Sequence, residues 1–277
     1  MPSVFRKFYR RYFKPVFISA NLVLNKMGRK HKCFICGKSF SRFTKYGKGL
    51  RGLSVFLKEA AVTGSDLDNF GCIYCGATDR ERHLFMFFDK LEFWQRFPGA
   101  IILHIAAEPN LGRAIKSLHP EMYIKGDLYP MGEEEIKINI METIYTENRF
   151  DVIICNHVLE HVSDHRKAIA EIFRILKPGG TAILQTPYSN LLHKTFEDEG
   201  INTDYLRKFF YGQYDHLRLF GKRHLLDDLC AQGFILQISV SRELFDGSTA
   251  DFYGVNNNED LIEVLKPGRS IQELHYT

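Results

Sequence analysis

From residue 100 onward, short apolar runs alternate with segments whose apolar positions recur every three or four residues. IILHIA (101–106) and MYIKGDL (122–128) predict strands, and NLGRAIKSL (110–118) between them predicts a helix. FDVIIC (150–155) is apolar without interruption, as in a strand buried on both faces of a parallel sheet. Ser163 or Asp164 then caps a helix with Ala168, Ile169, Ile172, Phe173 and Leu176 on one face. Lys177-Pro178-Gly179-Gly180 closes it, and TAILQTP (181–187) and FILQISV (234–240) follow as strands. Ahead of this region, Leu84–Phe97 predicts a helix ended by Pro98-Gly99.

Strand–helix alternation of this kind predicts an α/β fold with a doubly wound sheet. Residues 31–83 break the pattern: they are rich in Gly, Lys and aromatic residues and weak in helical period. The expected organisation is a basic segment (1–30), a small module (31–83) and a main domain (84–277) carrying a polar insertion at 188–220.

Charge sharpens the division. Residues 1–58 hold 15 Lys/Arg and no Asp or Glu, so the net +4 of the chain hides a basic head on an acidic body. Within the head, residues 3–14 place Phe5, Phe8, Tyr9 and Tyr12 on one helical face with basic residues opposite. That face suits a membrane interface or its own protein equally. The apolar run Val16–Leu24 is too short to span a bilayer, and the chain is expected in the cytoplasm with peripheral membrane contact as an option.

Four of the six cysteines form matched knuckles, Cys33-Phe-Ile-Cys36-Gly37 and Cys72-Ile-Tyr-Cys75-Gly76. Each brings two thiolates to one ion, and the glycine permits the tight turn after the second sulfur. Four thiolates saturate a tetrahedral zinc, which predicts a structural Zn²⁺ site.

In a sheet of this type ligands bind beyond the carboxyl ends of the strands. Ala106, Ala107 and Glu108 follow the first strand, where small residues admit a ligand to the backbone. There is no G-x-G-x-x-G. Asp127 ends the second strand, placed to accept hydrogen bonds from ribose hydroxyls. His157-Val-Leu-Glu160-His161 puts three metal-capable groups on one turn. The spacing is also that of inverted zincins, but it directly follows a buried strand, and the favoured reading is that Glu160 and His161 order the turn.

The stretch FDVIICNHVLEHVSDHRKAIAEIFRILKPGGTAILQTP (150–187) resembles the central segment of class I S-adenosylmethionine-dependent methyltransferases. Within them the chain is most similar to a bacterial group with an N-terminal zinc-ribbon-like segment, over about residues 33–240. The resemblance implies a Rossmann-like sheet of seven strands, mostly parallel with an antiparallel last strand, behind a small zinc-ribbon-like module. It implies that Ala106 to Glu108 cradle the methionine part and Asp127 the ribose. Asn139 and Ile140 would bracket adenine, and Asn156 and His157 would lie beside the sulfonium. Two positions depart from the family: the glycine-rich loop is replaced by His104-Ile-Ala-Ala-Glu108, and Asn139 stands where an aspartate is usual.

In the resembling group the 188–220 insertion closes the acceptor site. Here it contains Tyr214-Asp215-His216-Leu217-Arg218. Asp215 with His216 could take an acceptor's proton, with His161 competing for that role; Arg218 could bind an anionic group, with Tyr214 beside it. The acceptor expected from these features is a hydroxyl or similar group on a polar small molecule or glycan. A nucleic acid gripped by the basic zinc module is the alternative, and a binding module that keeps the fold without catalysis is a third.

Overall fold

The computed structural model describes residues 23–268; the amphipathic segment 3–14 lies outside them. The strands of the central sheet are β1 (Ile101–Ile105), β2 (Met122–Asp127), β3 (Glu135–Lys137), β4 (Phe150–Cys155), β5 (Leu176–Ile183), β6 (Ile235–Ser239) and β7 (Leu261–Leu265). Their spatial order is β6-β7-β5-β4-β1-β2-β3. Strands β3, β2, β1, β4 and β5 run parallel, whereas β7 inserts antiparallel to both β5 and β6. The expected mostly parallel sheet with an antiparallel last strand is thus the one found. Among the described residues no helix is long and apolar enough to cross a membrane.

β4 sits in the middle because its side chains can be buried on both faces. Ile153 and Cys155 enter one core with Ala168, Ile169 and Ile172 of the helix His165–Ile175, while Val152 and Ile154 enter the other with Phe87, Leu111 and Ile115. Asp164 is the N-cap of His165–Ile175, its carboxylate accepting from the Lys167 N–H at 2.9 Å.

Two expectations need correction. Lys177-Pro178-Gly179-Gly180 does not terminate that helix in a loop; it already belongs to β5. A register irregularity opposite β4 absorbs three extra residues, and Gly179, at φ +80°, donates to the Lys266 carbonyl. The helix expected at 84–97 begins earlier, at Asp79–Lys90, because Thr78 caps it and Asp79 and Glu81 occupy its first turn. Glu92, at φ +53°, breaks the backbone before a separate short turn at Phe93–Arg96. The boundary expected between residues 83 and 84 therefore falls inside a helix that both parts share.

That helix joins module to sheet through Arg82, which is fully buried. Its guanidinium donates to the carbonyls of Asn69, Phe70 and Ala77 in the module and of Tyr253 and Gly254 near the C-terminus. It also lies 3.9 Å from the ring centre of Phe43. Gly254, at φ +63°, leaves no room for a side chain because a Cβ there would strike the Phe43 ring.

The excursion between the two knuckles continues outward to the 188–220 insertion. Val62–Thr63 pair with Tyr188–Ser189, and the short helix Val55–Glu59 packs against Asp204–Phe210. Replacing Arg82 with Met should cost about 3–5 kcal/mol, because it leaves several buried carbonyls without a donor at about 1–3 kcal/mol each, partly offset by relaxation. Chemical denaturation that returns wild-type stability for this variant would show that the docking is carried elsewhere.

Candidate functional site

The register of the sheet brings the predicted edge residues into one row. Ile105 lies opposite Gly126 on one side and Cys155 on the other, so Ala106, Asp127 and Asn156 follow at the same level. The Ile138 N–H donates to the Asp127 carbonyl at 2.8 Å, which sets Asn139 and Ile140 next in line. The row Asn139–Asp127–Ala106–Asn156 thus crosses four neighbouring strands at their carboxyl ends. Asp127 uses Oδ1 to accept from the Tyr129 N–H at 2.7 Å. Asn139 is exposed and Ile140 buried. Asn156 is 4% exposed, and its Oδ1 is buried without a partner.

Ala106 adopts φ +51°, the left-handed conformation that glycine tolerates best, and its N–H donates to the Gly126 carbonyl at 2.8 Å. The loop thus keeps the sharp turn of a glycine-rich motif while carrying a methyl group. Two carboxylates brace it. Glu108 binds His104 Nε2 at 2.7 Å and accepts from Asn156 Nδ2 at 2.6 Å, tying the ends of β1 and β4 together. Burial opposes its charge, but the His104 contact and the Asn156 amide hold the carboxyl below its ordinary range.

Glu81, from the helix Asp79–Lys90, caps the helix Pro109–Ser117, accepting from the N–H groups of Asn110 and Leu111 at 2.6 and 2.9 Å. The amides that a ligand carboxylate or phosphate would otherwise meet at this helix start are already engaged. Nothing in the sequence near residue 110 announces that partner.

His157, at φ +54°, turns inward from the end of β4. Its Nε2 lies 3.1 Å from Glu259 and its Nδ1 3.4 Å from Glu160. Burial and Arg80 disfavour the imidazolium, yet the two carboxylates outweigh them and raise its pKa. Glu259 is correspondingly held down to about 2: its burial is overcome by His157 and His83.

In front of His157 opens a cavity of about 420 Å³. The module supplies one wall with Leu50, Leu53, Leu57, Val62, Leu67 and Phe70, and Tyr211, Gln213 and His216 of the insertion supply another. Arg80 also lines it, with its Nε buried and unpartnered.

Residues 103–237 match a family model described as a methyltransferase domain. The chain carries a methyltransferase domain. It is 41% identical over 56 residues to an uncharacterized protein of Methanocaldococcus jannaschii, a match covering 20% of this chain and 24% of that one, so about a quarter of the relative's length is spanned. Among solved structures it is similar to an S-adenosylmethionine-dependent methyltransferase from Mesorhizobium loti. That protein is 12% identical with TM-score 0.48, over 65% of this chain and 97% of the other. It is also similar to the YcgJ protein of Bacillus subtilis, 15% identical with TM-score 0.46 over 67% and 99% of the two chains.

In the methyltransferase domain the insertion residues are arranged differently from the expectation. Asp215 does not pair with His216; it faces His161, with Oδ2 3.4 Å from Nδ1. Adjacent residues in this turn point apart, and His216 instead goes inward, its Nδ1 2.8 Å from the Tyr211 carbonyl. Burial pushes His216 toward its neutral form. Arg218 is 4% exposed and bound to the carbonyls of Leu159, Val162 and Ser163 and to Glu197. Its guanidinium holds the turn after β4 and is not free for an acceptor's anion. Tyr214 turns outward beside Lys208 and is not part of the cavity wall.

The four cysteines converge. Cys33 and Cys75 Sγ are 3.7 Å apart, Cys36 and Cys72 Sγ 3.8 Å, and all four lie within 4.8 Å of one another. The knuckles repeat each other: Gly37 and Gly76, at φ +69° and +70°, return their N–H to the Cys33 and Cys72 carbonyls.

Asp79, beside Arg80, is 1% exposed, and desolvation pushes its pKa up to about 7. The unfolded chain ionises this group near pH 4, so its contribution to stability is complete below that value. It falls as pH rises and is lost above about 7. Asp79→Asn keeps an acceptor for the Asp66 N–H and removes the charge. The variant should gain on the order of 2–4 kcal/mol relative to wild type between pH 4 and pH 8. Denaturation curves whose difference is flat across that interval would contradict the assignment.

Proposed function

We propose that the chain transfers a methyl group from S-adenosylmethionine to a hydroxyl or similar acceptor on a small molecule held in the cavity before His157. The observation that carries this reading is the row Asn139–Asp127–Ala106–Asn156, which ends one residue before His157 of the cavity wall. The residues fit the cofactor. Asn156 Oδ1 is an orphaned acceptor suited to an ammonium, Asp127 retains an oxygen for ribose hydroxyls, and the turn at Ala106 opens the backbone between them. Asn139 and Ile140 offer an amide and an apolar side chain to an adenine ring.

When bound, S-adenosylmethionine supplies an electrophilic methyl on a sulfonium. The protein's part is to orient the acceptor, exclude water and receive its proton. The cavity's module wall is largely apolar, so the acceptor has an apolar body, and Arg80 meets an anionic substituent on it. His216 lines the cavity with Glu160, His161 and Asp215 behind it, and the acceptor's proton leaves past this cluster.

We also propose that the cysteines hold one structural zinc. A tetrahedron of Zn–S bonds of about 2.3 Å has edges of about 3.8 Å, which the sulfurs already approach. Elemental analysis of protein purified without chelator should give about one zinc per chain, and Cys75→Ser should release it while the sheet keeps its far-ultraviolet signal. A metal-free wild type would refute this.

Calorimetry tests the cofactor. Asp127→Ala should weaken S-adenosylmethionine binding by about 1–3 kcal/mol, the scale of charge-assisted hydrogen bonds. Unchanged affinity removes Asp127 from the site, and absence of binding to the wild type removes the function.

A further inference from the structure

We propose a second metal site, formed by Glu160 Oε1, His161 Nε2 and His216 Nε2, for a divalent first-row transition ion. The three atoms lie within 4.8 Å of one another, with Glu160 Oε1 4.0 Å from each histidine nitrogen. Ligands around an ion at about 2.1 Å stand roughly 3–3.5 Å apart, so the set closes when the side chains draw together by about half an ångström to somewhat over one.

Hydrogen bonding makes these atoms ligands rather than a chance cluster. A backbone carbonyl only accepts, so His216 Nδ1, 2.8 Å from the Tyr211 oxygen, carries the proton and leaves Nε2 with its lone pair. That bare nitrogen is buried and has no partner. It faces Glu160 Oε1, which is also buried without a hydrogen-bond partner, while Oε2 of the same carboxylate accepts from Thr186 at 2.8 Å. His157 Nδ1 lies 3.4 Å from the same Oε1 on its other side, so the His216 nitrogen is the acceptor left with no donor, and a cation would satisfy it.

His161 completes the pattern. Its Nδ1 is directed at Asp215 Oδ2, the outer carboxylate that typically orients a metal-binding imidazole, and its other nitrogen turns toward Glu160. Two imidazoles and one carboxylate favour Zn²⁺, Fe²⁺, Mn²⁺ or Co²⁺ over Mg²⁺ or Ca²⁺, which prefer all-oxygen shells.

The site's use in catalysis rests on the methyl-transfer reading above. His216 belongs to the cavity wall, and His161 is half-buried with a path to solvent. A hydroxyl of the acceptor would complete the coordination shell and become more acidic there, its proton leaving to solvent. The oxygen lone pair then forms the new bond to the methyl carbon as the carbon–sulfur bond breaks and its electrons remain on sulfur. Binding of the metal itself does not depend on that reading.

The test uses the full chain with its cysteine site loaded with zinc, titrated with Co²⁺. The expected result is about one additional ion per chain, with visible bands of nitrogen and oxygen ligation and no thiolate charge-transfer band. His161→Ala and His216→Gln should each abolish the uptake, and Asp215→Asn should weaken it roughly 10-fold. Retention of the cysteine-bound zinc reports folding in every variant.

A wild type that takes up no second ion overturns the proposal, as do histidine variants that bind Co²⁺ like the wild type. S-adenosylmethionine affinity is measured on the same samples before cobalt is added. Loss of cofactor binding with cobalt uptake intact refutes the methyl-transfer reading and leaves the site standing.

Discussion

The architecture depends on one buried cation. Arg82 has no carboxylate in direct contact; its five donor positions end on backbone carbonyls from two stretches nearly two hundred residues apart. A planar guanidinium can satisfy that many acceptors from one position, which an ammonium cannot. Desolvation works against its charge, which Asp79 and the Cys33 and Cys72 sulfurs offset in so far as they are ionised. Arg82 therefore couples the cysteine cluster electrostatically to the domain it adjoins. The cavity follows from this, because the module wall before His157 is positioned only while the module is docked.

At the carboxyl edge of the sheet the chain achieves with carboxylates what related sheets achieve with glycines. A glycine-rich loop leaves amides free and the backbone open. Here Ala106 makes the turn under left-handed strain, Glu108 locks β1 to β4, and Glu81 occupies the amides of the following helix. The amide-binding capacity of the helix start is exchanged for a rigid edge, so Asp127 and Asn156 remain as the side chains with capacity to spare. Asn156 Oδ1, with no partner, is where that rigidity leaves an interaction unfilled.

Those features were unequally legible in the sequence. β4 and the helix after it could be read because a strand buried on both faces is a continuous apolar run, and because Asp164 has its partner three residues away. The Asp79–Lys90 helix was shifted because its start signals, Thr78, Asp79 and Glu81, lie in the stretch whose cysteines dominate the reading. Arg82 and Glu81 were invisible as organising residues, since their partners sit far away in the chain and are mostly backbone. The Asp215–His216 pair failed for a geometric reason: neighbours in a turn diverge, and only the fold reveals that each meets a residue of the segment after β4. Strand ends are fixed by local pattern, whereas the pairing of buried charges is fixed by tertiary packing.

The balance of charge around His157 bears on the proposed chemistry. Glu160 and Glu259 stay ionised against complete burial because His157 stands between them, and Glu259 comes from the same C-terminal segment that contributes Asn256, Asn257 and Asn258 to the cavity wall. The deep side of the cavity is therefore charged and fixed, while the side formed by the module is apolar. A sulfonium and an acceptor oxygen bearing negative charge cancel as the methyl passes between them. Low-dielectric walls raise the cost of holding those charges apart more than the cost of the transition state in which they merge. A docked apolar module would thus favour transfer while also excluding water. In the proposed reaction the four-cysteine segment would then contribute through the wall it supports, at a distance from the reacting atoms.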